Sequence, residues 1–209
     1  MVLRGQFLER PALIQTGDFV LDGLSHRGSR RPPLLIVPAP PGEGSGMDHP
    51  LCAEVAWAAA TAGFPTLRFN FRGVGASQGR REGDATDLAD SEAALRLLMQ
   101  NAAVASAAVA ALGSSAKIAL ELRKLHPGLS GLCMIQPSEQ VAPELPRVAI
   151  PLMLVLGENH SGAPLAALSA SAAEAGGNVE VVRRLNATAG TGLTQVGKAV
   201  VRWLQTLRA

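Results

Sequence analysis

Ser115 has the plainest claim to chemistry in this chain. It lies in Gly113-Ser114-Ser115-Ala116-Lys117, between an apolar run that ends at Leu112 and a pattern of helical period. In the pattern G-x-S-x-G a sharp strand-to-helix turn presents a serine hydroxyl at the end of a sheet, where it attacks an acyl carbon. The first glycine and the serine are present, and Lys117 stands where the last glycine would be. A serine attacks only when a base takes its proton, and that base needs a third group to orient it. The histidines are His26, His49, His126 and His160. His160 is the candidate base, with Glu158 as its orienting acid. Oxyanion donors would be the backbone N–H groups of Ala116 and of the Pro40-Pro41-Gly42 loop, where Gly42 is the donor because proline has no N–H. Lys117, two residues along a helix from Ser115, points about 200° away and reads as a groove-lining or solvated lysine. The competing reading of the same residues is structural. Ser115 is then a small residue in a tight turn, and His160 an exposed loop residue.

A site of this kind needs strands that end together and helices that leave from their ends. Phe7 to Ile14 and Phe19 to Leu24 read as a hairpin around Thr16-Gly17-Asp18. Leu34 to Val37, Pro65 to Phe71, Ala107 to Leu112, Leu132 to Ile135, Leu152 to Leu156 and Val179 to Leu185 read as strands. Helical patterns run from Asp48 to Ala62, with Asp48 as cap, and from Asp87 to Met99, Ser115 to Leu125, Ala163 to Ala175 and Gly197 to Leu207. Pro137 to Pro151 is a proline-rich connection, too short for a lid. Apolar strands alternating with helices predict one α/β domain over 1–209, with a mostly parallel sheet covered on both faces. Ligands in such sheets bind beyond the carboxyl ends of the strands, which places any ligand beside Ser115, between Pro38–Gly46 and Glu158–Pro164.

The run Arg68-Phe69-Asn70-Phe71-Arg72-Gly73-Val74-Gly75-Ala76-Ser77-Gln78-Gly79 resembles the R-F-N-F-R-G-x-G-x-S-x-G stretch of small, lidless bacterial members of the α/β-hydrolase superfamily. The Asp84–Asp90 segment, the Gly113–Lys117 elbow and Pro151 to Pro164 follow at the intervals of that group. The resemblance covers roughly Pro33 to the end and implies a sheet of about eight strands with Ser115 as nucleophile. The chain departs from the group at its chemistry. Pro38-Ala39-Pro40 replaces P-H-P, and His160 stands where the acid of G-x-x-D-x-x-x-P is expected. The loop Asn186 to Gly192, where the catalytic histidine belongs, contains none.

Composition narrows the function further. Hydrophobic residues make up 47% of the 209 and aromatics 3%, with no tyrosine, so the core is built from Ala, Val and Leu and base-stacking platforms are absent. A net charge of +2, with short basic clusters at Arg27, Arg30 and Arg31 and at Arg80 and Arg81, does not make a nucleic-acid stripe. Cys52 and Cys133 have no metal spacing and suit a reducing cytoplasm. No stretch is long and apolar enough to span a membrane. Gly192 to Ala199 matches G-x-x-x-x-G-K, but Ala199 replaces the magnesium-binding Ser or Thr, and Gly73 to Gly79 does not open a helix. No metal or cofactor is expected. The expected function is an α/β-hydrolase-like protein with an incomplete triad, non-catalytic or strongly weakened, that binds a small molecule or partner. The alternative is an active esterase, thioesterase or amidase using Ser115 and a relocated base, His160. A third possibility is a subunit that pairs with another chain through Ala163–Ala175. The sequence leaves substrate, ligand and oligomeric state open.

Overall fold

Alternating side chains give the inner strands two apolar faces, and these faces build two cores. A computed structural model describes residues 8–42, 46–157, 165–186 and 190–208. Among these residues the strands are β1 (Arg10–Thr16), β2 (Phe19–His26), β3 (Leu34–Val37), β4 (Thr66–Phe69), β5 (Ala108–Leu112), β6 (Gly131–Ile135), β7 (Leu152–Gly157) and β8 (Asn178–Val182). They form one sheet in the order β1-β2-β4-β3-β5-β6-β7-β8. β1 pairs antiparallel with β2, and β2 with β4; all later pairings are parallel. The helices are α1 (Pro50–Thr61), α2 (Asp84–Ala102), α3 (Ala116–Leu125), α4 (Leu165–Glu174) and α5 (Leu193–Thr206). On one face Leu35, Val37, Val109, Ala111 and Met134 pack under α2, α3 and α4. On the other, Leu34, Ile36, Ala108, Ala110 and Cys133 pack under α1 and α5. The expected mostly parallel α/β fold is therefore the observed one. No helix among the described residues is long and apolar enough to cross a membrane.

Several boundaries differ from the sequence reading, each for a local reason. The cap of α1 is His49, whose Nδ1 accepts from the Leu51 N–H at 3.3 Å; Asp48 instead pairs with Arg68 at 3.2 Å. The expected helix at Gly197 begins at Leu193, after Gly192 in a left-handed conformation at φ 76°. Gly197 is an interhelical contact, not a boundary. A Cβ there would lie 2.7 Å from Glu54 Oε1 and 2.9 Å from the Ala58 Cβ, so glycine lets α5 approach α1. The same fact removes the phosphate-loop reading of Gly192 to Ala199, because those residues are mostly helix. Pro137 to Pro151 contains a 3₁₀ segment, Glu139–Arg147, whose Val141 and Leu145 are fully buried. Phe7, expected to open the first strand, lies outside the described residues.

The Arg68–Gly79 run is a clamp. Asn70 Oδ1 accepts from the Met47 N–H at 2.8 Å. Ser77 Oγ donates to the Asn70 carbonyl at 2.8 Å and accepts from the Asp22 N–H at 2.9 Å. Gln78 exchanges hydrogen bonds with Val20 through its side chain, at 3.0 Å, and its backbone, at 2.9 Å. Asp90, fully buried on α2, accepts from the Arg72 backbone N–H at 3.0 Å and from its guanidinium at 2.6 Å and 2.9 Å. Thr16 Oγ1 adds a donor at 3.3 Å.

Removing the carboxylate should strand a guanidinium that is itself only 12% exposed. Asp90→Ala is expected to cost about 3–5 kcal/mol, the range for breaking a buried pair from one side. A urea-unfolding midpoint measured against wild type checks this. A loss below 1 kcal/mol would refute the clamp.

Candidate active site at the end of the central strand

β5 ends at Leu112, and the chain turns through a short 3₁₀ segment, Gly113–Ser115, into α3. The residue that takes the turn is Gly113, at φ 57°. That left-handed region costs glycine nothing and strains most other residues. Ser115 has ordinary helical angles, φ −65° and ψ −6°. The one positive φ of the elbow thus falls two residues before the serine that the sequence pattern singled out. Ser115 is fully buried, and its Oγ donates to the carbonyl of Pro38 at 2.6 Å, across the β3–β5 boundary. The Ala116 N–H, expected as an oxyanion donor, is engaged with the carbonyls of Gly113 and Ser114. In the loop after β3, Pro40 and Pro41 offer no N–H, and Gly42 has φ 107°.

The described histidines are placed as follows. His26 ends β2, with Nδ1 2.9 Å from Thr66 Oγ1. His126 follows the last residue of α3, with Nε2 3.1 Å from Glu92 Oε1. Both therefore sit at the end of the sheet opposite Ser115. His49 caps α1, and burial holds its pKa below the usual histidine value. Glu158 and His160 lie outside the described residues.

A cavity of about 510 Å³ opens beside the elbow. Pro40, Pro41 and Ser114 form the side nearest the strand ends, as expected for the loop after β3. The other wall comes from Arg81, Leu88, Ile118 and Glu144, on or next to α2, α3 and the 3₁₀ segment. Ser114, not Ser115, lines it. Lys117 lines it too and is exposed, in agreement with the groove-lining reading. The charges around it are mostly settled. Arg81 grips Asp87 at 2.7 Å and 2.9 Å and faces Asp84 at 3.6 Å, while Lys124 takes Glu121 at 2.6 Å and Glu144 at 3.2 Å. Among the described residues Lys117 has no carboxylate partner. The part of this wall that sequence reasoning missed is Arg81. In the sequence it counts only as part of a short basic cluster, although its spacing to Asp84 and Asp87 signals a tie to the first turn of α2.

No protein-family model matches the chain, and no curated protein sequence matches it. Solved structures do. An α/β serine hydrolase homologue from Coxiella burnetii superimposes with a TM-score of 0.79 at 24% identity, over 92% of this chain and 96% of that one. A lidless α/β serine hydrolase from Xanthomonas campestris gives 0.78 at 16% identity, over 96% of each chain. An esterase from Pyrococcus furiosus gives 0.79 at 14% identity, over 98% of this chain and 94% of that one. At these identities the likeness is one of fold: the chain has the α/β-hydrolase fold.

Thiol chemistry can read out the elbow. Cys52 and Cys133 are fully buried, and burial pushes the Cys52 thiol up to about 12 and that of Cys133 up as well, so native protein should be silent to a thiol reagent. Ser115→Cys should stay silent until unfolded. Gly113→Cys, at a half-buried position, should react on the order of 100-fold faster despite a strain of about 1–2 kcal/mol. Equal rates for the two variants would refute the assignment of Gly113 as the presented residue of the turn.

Proposed function

We propose that this protein is a non-catalytic, or strongly weakened, member of the α/β-hydrolase fold that binds a small molecule in the cavity between α2 and α3. The observation that carries the reading is the state of Ser115. A nucleophile must present its oxygen to a substrate and its proton to a base. Ser115 Oγ is shielded from solvent, and its proton is committed to the Pro38 carbonyl. The residue on the presented turn is Gly113, which has no side chain to attack with. No histidine follows β8 in the sequence to serve as the base. The ligand suited to this cavity is a small molecule with an apolar body and a polar group. Leu88, Ile118 and the two prolines would contact the body, and Ser114 and Lys117 would meet the polar group. The buried, unbridged thiols of Cys52 and Cys133 support placing the protein in a reducing cytoplasm.

Reaction with a fluorophosphonate probe tests the chemistry. Without a working base, the oxyanion hole and binding together leave at best on the order of 10³-fold over water. Wild type, Ser115→Ala and His160→Ala should all label slowly and alike. Rapid stoichiometric labelling lost in both variants would establish instead an active hydrolase with His160 as its base.

A further inference from the structure

We infer that the edge of the sheet opposite the elbow carries a second site, a basic hollow that binds the phosphate groups of a small phosphorylated ligand. The hollow has a volume of about 410 Å³ and lies where β1 begins, β2 ends and β4 begins. Arg10, Arg27 and Arg31 line it, together with His26 and Asn101, and no carboxylate does among the described residues, although Glu9 Oε1 lies 3.8 Å from His26 Nε2. Elsewhere, Arg72 and Arg81 each hold a buried aspartate. Among the described residues none of Arg10, Arg27 and Arg31 pairs with an acid. Glu9, next to Arg10 in the chain, is taken by Arg68 at 2.8 Å. Three guanidiniums around one concavity repel one another in the free protein, and a phosphate relieves that repulsion through several charge-assisted hydrogen bonds at once.

The arginines stand on a fixed frame. A Cβ on Gly28 would lie 2.4 Å from the Gly63 carbonyl oxygen, so this loop rests directly on the backbone of 63–65. The Arg30 N–H donates to that same carbonyl at 3.0 Å, and its guanidinium lies 5.8 Å over the Phe64 ring. Arg31 is held by a 2.8 Å bond from its guanidinium to the Ala102 carbonyl and keeps other N–H groups for a ligand. Frames of this kind bind anions without the entropy of ordering a free loop. The site is a hollow, not a stripe, and the exposed aromatics Phe19 and Trp57 do not line it. A small phosphorylated molecule therefore fits better than a polynucleotide, which needs stacking platforms and a long basic track.

Inorganic pyrophosphate is the probe, titrated calorimetrically at low salt. Wild type should bind it saturably at one equivalent. Arg10→Gln/Arg27→Gln should weaken binding roughly tenfold or more. Both side chains are exposed and unpaired, so the melting temperature without ligand should not fall. Arg183→Gln/Arg184→Gln, a basic pair elsewhere, should bind as wild type does. Vesicles carrying a phosphoinositide, sedimented with each protein, identify the source of the phosphate. Co-sedimentation lost in the Arg10/Arg27 variant supports the site with a lipid headgroup as ligand, and no co-sedimentation beside intact pyrophosphate binding supports it with a soluble one. The absence of saturable binding, an equal loss in the control pair, or single-stranded RNA that binds more tightly and is not displaced by pyrophosphate would overturn the inference.

Discussion

A carboxylate sealed from water must find its donors inside the protein, and Asp90 organises much of this molecule by that requirement. Its oxygens are reached by the Arg72 backbone and guanidinium and by Thr16. Those partners come from the end of β1 and from the loop after β4, so one side chain on α2 joins three parts of the chain distant in sequence. The first turns of α2 are thereby pinned over the strand ends. Arg81 and Asp87 repeat the arrangement one turn earlier, with Asp87 also fully buried. The wall that α2 lends to the cavity beside the elbow follows from these two ion pairs. A helix anchored only by apolar contact has no comparable constraint on its rotation, because the hydrophobic effect is non-directional.

The central strand contributes the opposite quality, smallness. Ala108, Ala110 and Ala111 leave room for helices on both faces, and the same economy continues into the turn. Gly113 takes the positive φ, and Ser115 is fully buried between β3 and α3. Its hydroxyl satisfies a buried carbonyl that would otherwise lack a donor, a defect worth about 1–3 kcal/mol. Serine is therefore adequately explained at this position by size and hydrogen bonding together.

The fold was legible in the sequence because its signals are local. Apolar runs such as Leu34–Val37 and Leu152–Leu156 alternate with helical patterns, and the mostly parallel sheet follows. The errors came where a residue type has two physical uses. Gly197 was read as a helix boundary, yet its lack of a side chain serves the α1–α5 contact. Asp48 was read as a cap because aspartate commonly is one, but Arg68 lies within 3.2 Å and the imidazole of His49 takes the role. The elbow carries the same ambiguity. In Leu112-Gly113-Ser114-Ser115 the serine carries the chemical signal and the glycine the conformational one, and only backbone angles show which of them occupies the turn. The α2 side of the cavity was legible only in its local part, the spacing of Arg81 to Asp84 and Asp87, because the pairing of Arg72 with Asp90 joins residues distant in sequence.

The Arg68–Gly79 run is a structural clamp. Asn70, Arg72, Ser77 and Gln78 all hold backbone or buried charge. Gly75 is required because a Cβ would lie 2.6 Å from Asn70 Nδ2, at a φ of 58°. None of these contacts uses a nucleophile, a base or an oxyanion. These contacts act on the folded state and hold the strand ends and the α2 wall together. The hollow at the other end of the sheet answers to a different constraint. Burial and pairing account for Arg68 and Arg72, but they do not account for Arg10 and Arg27, which no acid neutralises among the described residues. Uncompensated like charge is a cost to the free protein, and a ligand that supplies the missing negative charge removes it.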